Sequence, residues 1–117
     1  MQTRLPPDAV PSETRPDLGP FESRAGAAAR WLRLLANEKR LMILCQLVLQ
    51  AEMDVGRLAA SVGLSQSALS QHLARLREDG VVAFRRESQT LHYRIADQRV
   101  VALLSALKET FCPPADA

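Results

Sequence analysis

The sequence has no apolar run near the ~20 residues that crossing a bilayer requires. It also lacks the apolar core of a signal peptide: Pro6, Pro7, Asp8 and Glu13 stand where that core would lie. A cytoplasmic chain with no membrane partner is expected. Cysteine is scarce. Cys45 and Cys112 are the only two, far apart, outside any Cys-x-x-Cys spacing and joined by no histidine cluster. In a reducing compartment they are not expected to form a permanent structural disulfide, and their spacing offers no local zinc site. There is no glycine-rich phosphate loop, and no cofactor is expected. Neither sign of charge dominates: 15 Lys and Arg face 13 Asp and Glu, a net +2 that points only weakly to an acidic partner.

What remains is enough for one folded domain. The chain has 117 residues, 47% of them hydrophobic, and can bury a core without covalent staples. Residues 1–20 hold five of the seven prolines and read as a disordered arm. From residue 21 to 35 the pattern turns helical, with Ala27, Ala28, Ala29, Leu32 and Leu35 around Trp31. Asn37 is placed to cap a second helix, with Glu38 in its first turn. There Leu41, Leu44, Cys45 and Val48 recur at i, i+3, i+4, i+7, which predicts one buried stripe with Cys45 on it.

The middle of the chain is the most informative. Asp54 can cap a short helix from 55 to 61, with Leu58 and Val62 turned inward. Gly63 stands where a helix end favours positive φ, and Leu64 returns to the core. Ser65 caps a further helix from 66 to about 79, whose inner stripe is Leu69, Leu73 and Leu76, and Gly80 ends it. A short helix, a glycine turn and a capped second helix make a helix-turn-helix signature. The outer face of that second helix carries Gln66, Ser67, Ser70, Gln71 and Arg75. A solvated face favours Glu and Lys pairs; short hydroxyls and amides bond base edges and phosphates. Ser and Gln are also ordinary surface residues, and this face alone does not decide between the two readings.

After Gly80 the period becomes two. Val82 and Phe84, then Leu91, Tyr93 and Ile95, alternate with polar residues, and Arg85, Arg86, Glu87, Ser88, Gln89 and Thr90 lie between. That is a β-hairpin tipped with arginine and amides, either simply solvated or, following a helix-turn-helix, a wing over the phosphate backbone. Residues 65–94 carry five arginines against three acids, a modestly basic footprint. Asp97 is expected to cap a last helix that runs to Cys112 and stops at Pro113 and Pro114. Its stripe of Val100, Leu104, Leu107 and Phe111, widened by Val101 and Leu103, either closes its own core or packs on a second subunit together with the first helix. The expected architecture is mainly α with a small β-hairpin, a winged helix-turn-helix in the order α-α-α-α-β-β-α. Residues 21–112 form the domain and 113–117 a tail.

Three stretches resemble a known family. Leu34-Leu35-Ala36-Asn37-Glu38-Lys39-Arg40-Leu41-Met42-Ile43-Leu44 is similar to the opening of ArsR/SmtB-type repressors. So are Leu64-Ser65-Gln66-Ser67-Ala68-Leu69-Ser70-Gln71-His72-Leu73 and the hairpin from Arg85 to Arg94. The resemblance covers roughly residues 25–112. It implies a homodimer that binds an inverted-repeat operator in double-stranded DNA and releases it on a signal. The DNA-contacting residues it implies are Ser65, Gln66, Ser67, Ser70, Gln71, His72, Arg75, Arg85, Arg86, Gln89 and Thr90. The implied dimer seam holds Trp31, Leu32, Leu104, Leu107 and Phe111.

The signal follows from further comparison within that family. Its arsenic and cadmium sensors carry Cys-x-Cys on the helix before the recognition helix; Glu52-Met53-Asp54-Val55-Gly56-Arg57-Leu58 holds no thiol there. Its zinc and nickel sensors use Asp and His along the last helix, which here offers no histidine, so no metal is expected. One cysteine in the second helix and one ending the last resemble the sulfide-responsive, BigR/SqrR-like branch. The resemblance implies that reactive sulfur species bridge Cys45 and Cys112 and thereby release DNA. Read on its own, Cys45 is also a plausible core filler. Peroxide sensing through a plain disulfide, a metal-responsive repressor and, more remotely, a small thiol enzyme are the alternatives.

Overall fold

The computed structural model describes residues 11–112. Pro113, Pro114 and the rest of the expected tail lie outside them, as do the first ten residues of the expected arm. The chain divides into two compact units, residues 1–31 and 32–117. In the first, short 3-10 turns occupy Ser12–Thr14 and Gly19–Arg24, and all residues from 11 to 24 are exposed.

The helices are α1 (Ala25–Leu35), α2 (Glu38–Gln50), α3 (Val55–Val62), α4 (Gln66–Glu78) and α5 (Arg99–Phe111). The strands are β1 (Met53–Asp54), β2 (Val82–Glu87) and β3 (Thr90–Ile95), all antiparallel in the order β1-β3-β2. Caps set three of the helix starts. Asn37 accepts from the Arg40 amide at 3.1 Å, Asp54 from the Arg57 amide at 2.9 Å, and Ser65 from the Ala68 amide at 3.1 Å. Gly63 ends α3 in the left-handed region at φ 68°, and the Lys39 ammonium donates to the Val62 carbonyl at 2.8 Å, tying α2 to the turn.

The core joins α2, α3, α4 and the sheet. Ile43, Leu44, Leu47, Leu58, Leu69, Leu73, Leu76, Val81, Val82 and Val100 are all fully buried. Each fully buried Leu or Ile contributes roughly 1.5–3 kcal/mol relative to exposure.

One sequence expectation is extended and two need correction. The expected hairpin is present as β2 and β3, and a third strand joins it, because Met53 and Asp54 pair with Tyr93 and His92. Asp97 does not cap α5 from the N-cap position; that residue is Gln98, and the Asp97 carboxylate instead accepts from the Arg99 amide and guanidinium. The buried stripe of α2 is Ile43, Leu44 and Leu47, while Cys45 is exposed. Hydrophobic spacing chose the right helix and misplaced its inner face by about one residue, because the i, i+3, i+4 rule fits both phases.

Candidate nucleic-acid interface and thiol seam

The helix-turn-helix leaves one face of α4 in water. Leu69, Leu73 and Leu76 anchor the helix from below, so Gln66, Ser67, Ser70, Gln71 and Arg75 are all exposed on the other side. Ser65, also exposed, is occupied as the cap. An open cleft of about 450 Å³ runs between this helix and the wing, lined by Gln66 and Ser70 of α4, Gln89, Thr90 and Leu91 of the wing, and Asp54 to Gly56 at the start of α3. Residues from three separate segments thus meet on one surface that mixes polar and apolar groups. The wing tip turns at Ser88, which takes φ 57°, between the paired Glu87 and Thr90.

Besides Ser65, two of the expected DNA contacts are otherwise engaged. His72 is half-buried, and its Nδ1 accepts from the Arg40 Nε at 3.2 Å. The same arginine donates from Nη1 to the Leu34 carbonyl at 2.7 Å. Burial first, then the charges of Arg40 and Arg75, hold the His72 imidazole below its ordinary pKa. His72 thus accepts through Nδ1 within the fold, and its charged form is disfavoured. Arg85 bonds the Glu52 carboxylate in a fork, at 2.8 Å from Nη2 and 3.0 Å from Nε, and reaches Glu87 at 2.8 Å from Nη1. That guanidinium lowers the pKa of both carboxyls. Arg86, its neighbour, is exposed. Charge alone cannot separate the two arginines in the sequence; pairing with Glu52, 33 residues away, has no local signal.

The thiols lie on another surface. Cys45 and Cys112 are both free and exposed. Cys45 lines an apolar groove between α2 and α5 with Val48, Leu49, Val101, Leu104, Ser105 and Lys108. Cys112 ends α5 one turn beyond Lys108, its amide donating to the Lys108 carbonyl at 2.7 Å. A second apolar groove, between the last turn of α1 and α5, is lined by Leu32, Leu35, Ala36, Leu41, Leu103 and Leu107. Of the expected seam, Leu32 is 49% and Phe111 75% exposed, while Trp31, Leu104 and Leu107 are half-buried. Among the described residues no three His, Cys, Asp or Glu side chains converge as a metal site, and no helix is long and apolar enough to cross a membrane.

A capped recognition helix following a short helix and a glycine turn, with a sheet-borne wing beside it, defines a winged helix-turn-helix DNA-binding protein. The bacterial regulatory protein arsR family matches residues 37–83. The chain is 45% identical over 96 residues to the transcriptional activator HlyU of Vibrio cholerae, covering 82% of this chain and 88% of that one. It is 38% identical over 112 residues to the biofilm growth-associated repressor of Xylella fastidiosa, covering 96% and 95%. Among solved structures, the repressor BigR from Xylella fastidiosa superposes with a TM-score of 0.75 at 39% identity, over 80% of this chain and 94% of that one. A homodimeric winged helix-turn-helix DNA-binding domain from Mycobacterium bovis gives 0.66 at 31% identity, over 83% and 87%. The chain belongs to the ArsR family of winged helix-turn-helix transcriptional regulators.

Proposed function

We propose that this protein is a dithiol-sensing transcriptional repressor. It binds an inverted-repeat operator as a homodimer and lets go when reactive sulfur species bridge Cys45 and Cys112. It works in the cytoplasm without a cofactor, and no catalytic role is assigned to it. The observation that carries the reading is that both thiols are exposed instead of filling the core, Cys45 on the α2–α5 groove and Cys112 at the end of α5. Repression follows the relative that matches nearly the whole chain, a repressor by name; dimerisation follows the apolar groove of α1 and α5 and the homodimeric neighbour.

The chemistry balances without a metal. A cysteine thiolate attacks the outer sulfur of a hydropersulfide, R–S–SH; the S–S bond breaks, R–SH leaves and a protein persulfide forms. The second thiolate attacks the inner sulfur and hydrosulfide leaves, closing a disulfide. One further sulfur accepted before closure lengthens the bridge by one atom. A direct disulfide needs Cα atoms within about 7 Å, and each added sulfur relaxes that limit. A bridge ties α2 to α5 and shifts the spacing of the two recognition helices, which must match roughly one DNA turn, ~34 Å. A few kcal/mol of coupling suffices for regulation.

Reduced protein is expected to retard a duplex from the region upstream of its gene, and persulfide-treated protein not to. Cys45→Ser and Cys112→Ser are each expected to bind and to ignore the persulfide; release of either variant at the parent's persulfide concentration defeats the two-thiol mechanism. Intact mass after persulfide or hydrogen peroxide separates the two inducers. A gain of sulfur supports the polysulfide bridge, and a loss of two hydrogens under peroxide alone supports a plain disulfide switch.

A further inference from the structure

Arg85 and Arg86 are adjacent cations on the wing, but the sheet sends them to opposite sides. Side chains alternate along a strand, so Arg86 shares a face with Val82 and Phe84, and Arg85 with Ala83 and Glu87. Across the sheet Arg86 stands opposite Leu91, which lines the cleft shared with Gln66 and Ser70 of the recognition helix. Arg85 stands opposite His92, which stands opposite Asp54 of β1. From there its guanidinium crosses the middle strand to grip Glu52, the residue before β1, through three hydrogen bonds between 2.8 and 3.1 Å. The bridge joins the two edge strands diagonally over β3, from Arg85, level with Asp54 at the tip-side end of β1, back to Glu52 just before β1 begins. Beyond Asp54 the wing is a two-stranded ribbon, which is marginal on its own in water.

We propose that Arg85 is a positioning residue that braces the wing to Glu52, and that Arg86 is the wing's DNA-facing cation. The brace is a property of the free protein; only the role of Arg86 rests on the DNA-binding reading. The geometry favours it on two counts. A planar fork matched to a carboxylate holds direction as well as distance, which a phosphate contact on a mobile tip does not need. To bind a phosphate, Arg85 must first give up Glu52 and Glu87, both within 2.8 Å of its terminal nitrogens, whereas Arg86 lies exposed on the cleft side.

Hydrogen exchange of the free protein tests the brace. Arg85→Lys keeps the charge and loses the fork. It is expected to speed exchange of the β2 and β3 amides near the tip severalfold, as is Glu52→Gln, while Arg86→Lys leaves them unchanged. The melting temperature is expected to move little in all three, because exposed ion pairs add little to global stability; the readout is local. Salt titration tests the division of labour, using the upstream duplex and a random-sequence duplex. Arg86→Gln is expected to flatten the slope of log affinity against log salt by about 0.9 on both, the release of one phosphate counterion. Arg85→Gln is expected to keep the parent slope while binding the upstream duplex severalfold more weakly. Parent-like exchange at the tip of Arg85→Lys overturns the brace, and a slope lost in Arg85→Gln to the extent seen for Arg86→Gln overturns the division of labour. If the parent binds neither duplex, the DNA-binding reading and Arg86's part in it fail, and the exchange result still decides for or against the brace.

Discussion

His72 occupies a position where a surface helix would expose a polar side chain, yet its ring is half-buried and accepts from Arg40. That bond requires a bare Nδ1, so the fold selects the neutral imidazole protonated on Nε2. Its lowered pKa fixes the sign of the pH effect. As pH falls below the ordinary value near 6.5, the unfolded chain takes up a proton that the folded one resists. Stability is therefore full above that value and declines between it and the lower folded value. Thermal melts from pH 7.5 to 5.5 are expected to show this loss, and His72→Gln to flatten it. An NMR titration that puts the His72 midpoint above its ordinary value contradicts the arrangement. Protonation also breaks the bond to Arg40, the side chain that joins α4 to the Leu34 carbonyl at the end of α1.

At the scale of the element, α4 divides its labour by side. Leu69, Leu73 and Leu76 hold it in the core, and Gln66, Ser67, Ser70 and Gln71 occupy the open side near its N-terminus. Replacing Ser70 and Gln71 together by alanine removes the hydroxyl and the amide without touching the buried stripe. A lost bidentate base contact costs about 1–3 kcal/mol, so operator affinity is expected to fall tenfold or more while the circular dichroism and the oligomeric state stay unchanged. Unaltered affinity in a gel shift would remove this helix from base reading.

At the scale of the whole molecule, α1 and α5 carry more apolar surface than one chain covers. Leu107 lines the groove between them, and Leu32 and Phe111 are largely exposed. Leu107→Asp is expected to split the dimer. A charge buried in that seam without a partner costs several kcal/mol, and about 3 kcal/mol raises the dissociation constant roughly a hundredfold. Sedimentation of the variant as a tight dimer places the interface elsewhere. The proposed thiol switch belongs to the same scale, because α5 carries both the Cys112 end and residues of the apolar groove.

The sequence by itself determined the helices, the glycine turn at Gly63, the caps at Asn37, Asp54 and Ser65, and the inner stripe of α4. Each depends on neighbours within a turn or two, where side-chain size and hydrogen-bonding decide backbone geometry. It also placed the polar face of α4, since a buried stripe leaves only one side free. Tertiary structure alone decided the rest. Met53 and Asp54 are too few to show a strand period and become β1 only because β3 offers its edge. Cys45 fits an apolar stripe in spacing, but α2 docks on Ile43, Leu44 and Leu47, and the thiol turns to the α5 groove. Arg40 finds His72, and Arg85 finds Glu52, across gaps of 32 and 33 residues. No local propensity records such pairings, because they exist only once the packed core has brought the segments together.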